Sequence, residues 1–233
     1  LIVGRLPREA EARIATVAEA VGAPVFDAYA TTTDRKYPPM KLALPGRHQV
    51  ENAAVATAIL ERWSSLVGFV PTDAIVTGLT QCEWPARLEW LRLSPHGELL
   101  IDAAHNPAGA AALASYLLDA GEKLPIVFAA MADKDIEKMV GVLEPVASMF
   151  IATTPANERS RASDQLAQDI RRLVTVPVEA VASPEAAVRR ALEHSPRAVA
   201  AGSIYMVGPL RARLIAGGAV SKQGSVGPES SER

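Results

Sequence analysis

The chain has 233 residues and a formal net charge of −2, with a pI of about 6.1. This balance argues against a partner such as nucleic acid or an anionic membrane, because proteins that bind these carry a basic excess or a basic stripe. The single cysteine, Cys82, excludes an internal disulfide and a cysteine-rich zinc site. A lone cysteine and the lack of a long apolar run favour a cytoplasmic protein.

The first residues, Leu1-Ile-Val-Gly, lack an initiator methionine and open on an apolar triplet typical of the end of a buried strand. We therefore expect a fragment of a longer protein, with more chain upstream. Apolar periodicity in the first part of the chain predicts helices and short strands. The helices are expected over 7–21, 48–63 and 72–81, and the strands over 23–26 and 41–44.

The pattern changes after residue 83, where Pro85 disfavours helix at Trp84 and an alternation of strands and helices begins. We therefore place a domain boundary near Glu83. The expected strands lie over 88–93, 99–102, 126–130, 149–153, 176–181 and 198–201, and the helices over 107–119, 136–146, 163–173, 184–193 and 204–215. This order predicts right-handed crossovers and a mostly parallel sheet flanked by helices. The Gly- and Ser-rich stretch 217–233 is expected to be disordered.

One stretch of this second part carries two titratable side chains at a turn from strand to helix. Residues 99–101 predict a buried strand that Asp102 closes, and Asn106 and Pro107 are typical of a helix N-cap and first turn. Such a turn lies at the carboxyl edge of a parallel sheet, where ligands bind and helix N–H groups favour an anion. Asp102 and His105 are therefore candidate site residues. In the alternative interpretation, His105 only bonds to the local backbone.

Other polar residues follow the neighbouring predicted strands, namely Asp133, Lys134, Asp135, Thr153, Thr154 and Ser203. Because the carboxyl ends of parallel strands meet at one edge, we expect them to line a single crevice. A structural interpretation stays open for each. The aspartates and Ser203 would cap helices, and Lys134 would be a solvated lysine.

His48 and Asn52 share one face near a helix start, where a ligand could contact both, or where both serve only local structure. The sequence contains no Gly-x-x-x-x-Gly-Lys-Ser/Thr, His-Glu-x-x-His or Gly-x-Ser-x-Gly pattern. The chain therefore lacks the main phosphate-binding loop of a nucleotide enzyme, hydrolase activity is disfavoured, and no metal-binding residues are predicted.

Five short blocks together resemble the folylpolyglutamate synthases and dihydrofolate synthases of the ATP-dependent Mur ligase superfamily. They are Leu44-Pro-Gly-Arg-His48-Gln49-Val-Glu-Asn52-Ala-Ala, Trp84-Pro85-Ala-Arg87-Leu-Glu, Asp102-Ala-Ala-His105-Asn106-Pro107, Met131-Ala-Asp133-Lys134-Asp135 and Gly202-Ser203-Ile-Tyr-Met-Val-Gly208. The family usually has glycine where this chain has Ala86 and Ala103. The resemblance implies an α/β fold: residues 1–83 end a central ATP-binding domain, residues 84–216 form a Rossmann-like carboxyl-terminal domain, and residues 217–233 are a tail.

In this family, ATP phosphorylates a carboxylate of a pteroate-type substrate, and the amine of glutamate attacks the acyl phosphate. The resemblance therefore implies ATP, Mg²⁺, L-glutamate and folate or dihydropteroate as ligands, and a monomer when full length. It implies contacts to ATP from Asn52, Arg87 and Asp102, with Arg87 at a hinge near the phosphates, and contacts to glutamate from His105, Lys134 and Ser203. No residue is assigned a catalytic role or a metal. The chain alone is expected to be inactive, with the main magnesium ligands upstream.

Two other functions stay open at this point. A muramyl-peptide or cyanophycin ligase shares the edge that carries Asp102 and His105, although the run from Gly202 to Gly208 favours the folate branch. A non-catalytic Rossmann-like binding module is the alternative from a different class. An upstream phosphate loop in the gene would favour a ligase, and its absence would favour the binding module.

Overall fold

The computed structural model of the chain describes residues 1–30, 40–93 and 97–222. These residues fold into two compact units, with the division between Glu83 and Trp84. In the first unit, strands β1 (Ile2–Val3) and β2 (Phe26–Asp27) pair in parallel. Its helices are α1 (Arg8–Ala20), α2 (Arg47–Leu66) and α3 (Thr72–Gln81).

The predicted strand over 41–44 is wrong. This segment has no strand conformation, and the Ala43 N–H donates to the Leu79 carbonyl of α3 at 3.0 Å. Alternation of apolar residues indicates two faces, but a strand also needs a neighbouring strand to accept its hydrogen bonds. Here a helix supplies the acceptor instead.

The second unit is built on a seven-stranded sheet. Its strands are β3 (Glu89–Leu93), β4 (Gly97–Ile101), β5 (Leu124–Phe128), β6 (Ala147–Ala152), β7 (Val178–Ala180), β8 (Arg197–Ala201) and β9 (Val220–Ser221). The order across the sheet is β7-β6-β5-β8-β4-β3-β9. The pairs from β7 to β4 are parallel, and β3 is antiparallel to both β4 and β9. The predicted α/β fold with a mostly parallel sheet is confirmed.

Helices cover both faces of this sheet. They are α4 (Pro107–Asp119), α5 (Ile136–Leu143), which continues into a turn of 3-10 helix, α6 (Ser163–Arg171), α7 (Pro184–His194) and α8 (Ile204–Ala216). Buried residues of α4, α5 and α6 pack with Leu100 and Val199 on one face, whereas those of α7 and α8 pack with Leu99 and Ala200 on the other. Successive strand residues thus serve opposite cores, which explains the nearly continuous apolar runs.

Residues 217–222 contradict the prediction of a disordered tail over 217–233. Strand β9 pairs with β3 through Leu91–Ser221 and Arg92–Val220, and the Lys222 N–H donates to the Trp90 carbonyl at 2.8 Å. The outer edge of β3 offers unpaired backbone groups, and even a short polar segment can satisfy them. The rest of that stretch, 223–233, lies outside the described residues.

Strand β8 lies between β4 and β5, and Gly202 makes the turn at its carboxyl end. Gly202 has a φ of +103°, and a Cβ built there would lie 2.2 Å from the Ala129 carbonyl oxygen and 2.7 Å from the Phe128 ring. Its N–H donates to the Ala104 carbonyl at 2.8 Å. The turn therefore requires glycine for its backbone angle and for the space around it.

We expect Gly202→Ala to lower the free energy of unfolding by about 2 kcal/mol or more, because the added methyl group meets backbone and the left-handed angle becomes strained. Urea denaturation measures the change. The matched control is Gly141→Ala in the interior of α5, where a Cβ meets nothing within 4 Å. That variant should be neutral or stabilised by up to about 1 kcal/mol. Equal losses in the two variants would contradict this account.

Candidate functional site

Asp102 follows directly after β4, and its carboxylate anchors the surrounding backbone. The residue is only 6% exposed. Its Oδ1 accepts a hydrogen bond from the Ala104 N–H at 2.8 Å, and its Oδ2 accepts one from the Leu88 N–H at 2.9 Å. Burial raises the pKa of Asp102, and outweighs the two backbone hydrogen bonds and the charge of Arg87, which lower it. The Asp102 side chain is thus buried and hydrogen-bonded to the backbone on both oxygens.

Arg87 sits in a turn whose flanking residues are both left-handed without being glycine. Ala86 has a φ of +57° and Leu88 a φ of +48°. The Ala86 carbonyl accepts the Ala103 N–H at 2.8 Å, and the Ala86 N–H donates to Glu89 Oε2 at 2.8 Å. Within the part of the chain that the structure describes, the Arg87 guanidinium makes no hydrogen bond or ion pair. Of the two alanines that replace family glycines, only Ala86 has a positive φ.

Glu89, which sequence reasoning did not single out, is the second buried carboxylate near this turn and is 0% exposed. Arg211 donates to it through Nε at 2.7 Å and Nη2 at 2.9 Å, and the Ser221 hydroxyl donates at 2.6 Å. Burial alone would raise the pKa of Glu89, but these hydrogen bonds, the Ala86 N–H and the charge of Arg211 together bring it below its ordinary value. The sequence feature that could have identified Glu89 is its position as the last residue of the family block that begins at Trp84.

A cavity of about 190 Å³ opens where β4, β5, β6 and β8 end. Its lining consists of His105, Met131, Asp133, Lys134, Arg159, Ser203, Ile204 and Tyr205. The structure thus brings together the three residues that the resemblance assigns to glutamate, His105, Lys134 and Ser203. As far as the described residues go, neither Arg87 nor Asp102 belongs to this lining.

The His105 ring is fixed by the local backbone and also lines the cavity. Its Nδ1 lies 2.9 Å from the Ala103 carbonyl oxygen. Because a carbonyl can only accept, Nδ1 carries the proton of this bond, and the lone pair of the neutral ring is on Nε2. The bond to the local backbone that the structural interpretation predicted is formed.

Lys134 and Ser203 present polar groups with weak existing partners. Lys134 Nζ lies 3.7 Å from Asp133 Oδ2, and the two side chains are 32% and 67% exposed, so this ion pair is weak. Ser203 is the N-cap of α8: its hydroxyl accepts the Tyr205 N–H at 3.3 Å and donates to Met131 Sδ at 3.7 Å. The cap predicted for Ser203 is confirmed. The N-cap of α5 is Asp135 rather than Asp133.

Arg159 and Tyr205 also line the cavity, and sequence reasoning missed both. Arg159 Nη2 donates to the Tyr205 hydroxyl at 3.3 Å, and the guanidinium carbon lies 5.9 Å from the ring centroid. The signal for Arg159 was its position in the segment after β6, and Tyr205 belongs to the Gly202 block. With Lys134 and Arg159 against Asp133, the lining carries a net positive charge and suits an anion such as a carboxylate.

Asn52 lies on α2 in the first unit. Its Nδ2 donates to Gln49 Oε1 at 3.1 Å, and the Gln49 amide in turn donates to His48 Nε2 at 3.0 Å. Gln49 is buried and connects the two residues that the sequence placed on one face. This arrangement is a local network, and the Asn52 side chain remains on the surface of the helix.

Neither a metal cluster nor a membrane helix is found among the described residues. No group of three or more His, Cys, Asp or Glu side chains there could hold a metal ion. None of the helices in the described ranges has the length and apolar character needed to cross a bilayer.

The pKa of Asp102 predicts a pH-dependent stability. A carboxyl whose pKa is raised above its unfolded value of 3.8 contributes stability that is complete below that pH and is lost as pH rises through the folded-state pKa. Asp102→Asn cannot titrate. We therefore expect the unfolding free energy of the parent chain minus that of the variant to be largest near about pH 3 and to decline towards neutral pH. Urea denaturation at a series of pH values measures it, and a difference that rises with pH would refute the assignment.

Comparisons with known proteins identify the family of this chain. Residues 86–203, about half of the chain, match the family described as Mur ligase, glutamate ligase domain. The dihydrofolate synthase/folylpolyglutamate synthase of Mycobacterium tuberculosis is 35% identical over 135 residues, which cover 56% of this chain and 27% of that protein. A UDP-N-acetylmuramoyl-L-alanyl-D-glutamate--2,6-diaminopimelate ligase of Corynebacterium efficiens is 32% identical over 133 residues, which cover 56% of this chain and 24% of that one.

Among solved structures, the M. tuberculosis folylpolyglutamate synthase complexed with ADP and AMPPCP has a TM-score of 0.78 at 24% identity, which is a likeness of fold. The match covers 91% of this chain and 54% of that one, so the chain spans about half the length of that solved relative. The curated relatives are matched over about a quarter of their length. By the span of the matched domain, the chain belongs to the Mur ligase family, as its resemblance to the folylpolyglutamate and dihydrofolate synthases predicted.

Proposed function

We propose that the chain is part of an ATP-dependent ligase that adds glutamate to a folate through an acyl phosphate. The observation that carries this proposal is the cavity that gathers His105, Lys134 and Ser203 at the carboxyl edge of the sheet. The similarity to a dihydrofolate synthase/folylpolyglutamate synthase supports the folate branch.

In this proposal the cavity holds the incoming L-glutamate. The Lys134 ammonium and the Ser203 hydroxyl bind its carboxylate, since both have only weak partners among the described residues. His105 Nε2 has a lone pair that accepts a hydrogen bond from the glutamate amine. The amine is thereby oriented for attack on an acyl phosphate, and this positioning is the main catalytic contribution of the cavity.

Arg87, Asn52 and Asp102 are proposed to meet ATP. Arg87 suits this role because its guanidinium has no partner in the described part of the chain and offers a planar fork to phosphate oxygens. Both Asp102 oxygens already accept a backbone N–H, but each keeps a second lone pair for a further donor. Because the sequence has no phosphate-binding loop, we infer that this loop and the main magnesium ligands come from the rest of a cytoplasmic, monomeric enzyme.

The assay that tests the proposal uses the complete gene product with ATP, radiolabelled L-glutamate, and dihydropteroate or tetrahydrofolate as acceptor. We expect ATP-dependent transfer of label to one or both acceptors, and no turnover by the 233-residue chain alone. UDP-N-acetylmuramoyl-L-alanyl-D-glutamate, supplied with radiolabelled 2,6-diaminopimelate, serves as the competing acceptor, because the C. efficiens relative makes a muramyl ligase the second candidate. Transfer only to that acceptor would replace the folate assignment. Transfer to none of them would favour a binding module.

Lys134 provides the second test. Lys134→Met in the complete gene product should raise KM for L-glutamate about tenfold or more, because a charge-assisted bond to carboxylate is lost, and should leave KM for ATP unchanged. The control is Lys123→Met, an exposed lysine just before β5 that is absent from the cavity lining. If both variants kept the parent KM for glutamate, Lys134 would have to be removed from the site.

A further inference from the structure

The turn that carries Arg87 is strained on both sides and is held from both sides. Ala86 and Leu88 are both left-handed, a conformation that residues with a side chain adopt at a cost in free energy. Strain of this kind persists where the surroundings over-determine the backbone, and it clusters at functional sites. The residue between the two strained positions is the guanidinium with no partner in the described chain.

Each strained residue is anchored by a buried carboxylate. Glu89 accepts the Ala86 N–H at 2.8 Å, and Asp102 accepts the Leu88 N–H at 2.9 Å. A third bond, from the Ala103 N–H to the Ala86 carbonyl, ties the turn to the segment after β4. The two carboxylates therefore fix the backbone immediately before and after Arg87.

Among the described residues, neither of these carboxyl groups forms an ion pair with Arg87 itself. Glu89 is saturated by Arg211 from α8 and by the Ser221 hydroxyl from β9, in addition to the Ala86 N–H. Asp102 has one backbone N–H on each oxygen. Two buried carboxyl groups thus hold the Arg87 turn while its guanidinium forms no ion pair among the described residues, although the charge of Arg87 does act on Asp102.

We propose that Glu89 and Asp102 are positioning residues that hold the left-handed Ala86–Leu88 turn and so present the Arg87 guanidinium as a free cation to a polyphosphate ligand. The identification of that ligand as ATP rests on the proposed function. Arg211 and Ser221 support the turn indirectly. Their hydrogen bonds keep the Glu89 carboxylate charged and oriented towards the Ala86 N–H.

The first test is made on the 233-residue chain itself. In Glu89→Gln, the amide hydrogen of Ala86 should exchange at least about tenfold faster, because the charged acceptor and its Arg211 clamp are lost. The control is Glu98→Gln on β4, which also removes an ion-paired, partly buried glutamate but lies away from the turn. If Glu89→Gln fails to fold, Asp102→Asn gives the equivalent measurement at the Leu88 amide. The proposal would be overturned if the amide of the turn exchanged no faster in the Glu89→Gln or Asp102→Asn variant than in the Glu98→Gln control.

The second test separates positioning from general damage. In the complete gene product, Glu89→Gln should raise KM for ATP about tenfold and leave KM for L-glutamate unchanged. Adding Ala86→Gly to this variant should recover part of the affinity, because glycine adopts the turn without strain. An equal rise in both KM values, or no recovery in the double variant, would refute the role.

If the gene product shows no ligase activity, the proposed function fails, but the positioning role is still decided by binding. Inorganic tripolyphosphate is then titrated into the parent chain and into Glu89→Gln by calorimetry. Weaker binding by about tenfold in Glu89→Gln supports the role, and equal binding overturns it.

Discussion

Strand β8 forms hydrogen bonds with both β4 and β5, and this insertion decides where the cavity residues lie. The Ala200 carbonyl accepts the Asp102 N–H at 3.1 Å, and the Ala201 carbonyl accepts the Ala129 N–H at 3.3 Å. Ser203 therefore emerges between the segments that carry His105 and Lys134, although it lies far along the chain from both. A parallel sheet can place residues from distant segments at one edge only because every strand ends in the same direction.

The two buried carboxyl groups near Arg87 show how the hydrogen-bond donors around such a group decide the direction in which its pKa shifts. Asp102 has neutral N–H donors, and its pKa is raised by burial. Glu89 is also inaccessible to solvent but is paired with a guanidinium, and its pKa is lowered. A buried charge is stable only when it is paired and its remaining hydrogen-bonding positions are filled. Arg211 is therefore committed to structure, whereas Arg87, Lys134 and Arg159 remain accessible cations.

The carboxyl-terminal segment of the described chain takes part in this arrangement. Strand β9 closes the edge of β3 and brings the Ser221 hydroxyl onto Glu89, so a segment that looks like a tail completes the support of the Arg87 turn. Support from α8 and β9 also explains how alanine is tolerated at residue 86, where the family usually has glycine. Several hydrogen bonds offset the cost of one left-handed residue.

The sequence alone determined those features that depend on neighbouring residues in the chain. The start of α4 follows from the Asn106 cap and Pro107, and strand ends together with the family blocks were enough to name His105, Lys134 and Ser203 as candidates. Only the tertiary structure decided the position of β8, the roles of Glu89 and Arg159, and the burial of Asp102. Caps and apolar periods depend on neighbours a few residues away. The partners of a strand and the burial of a side chain depend on residues far along the chain. Arg211, for example, lies 122 positions after Glu89.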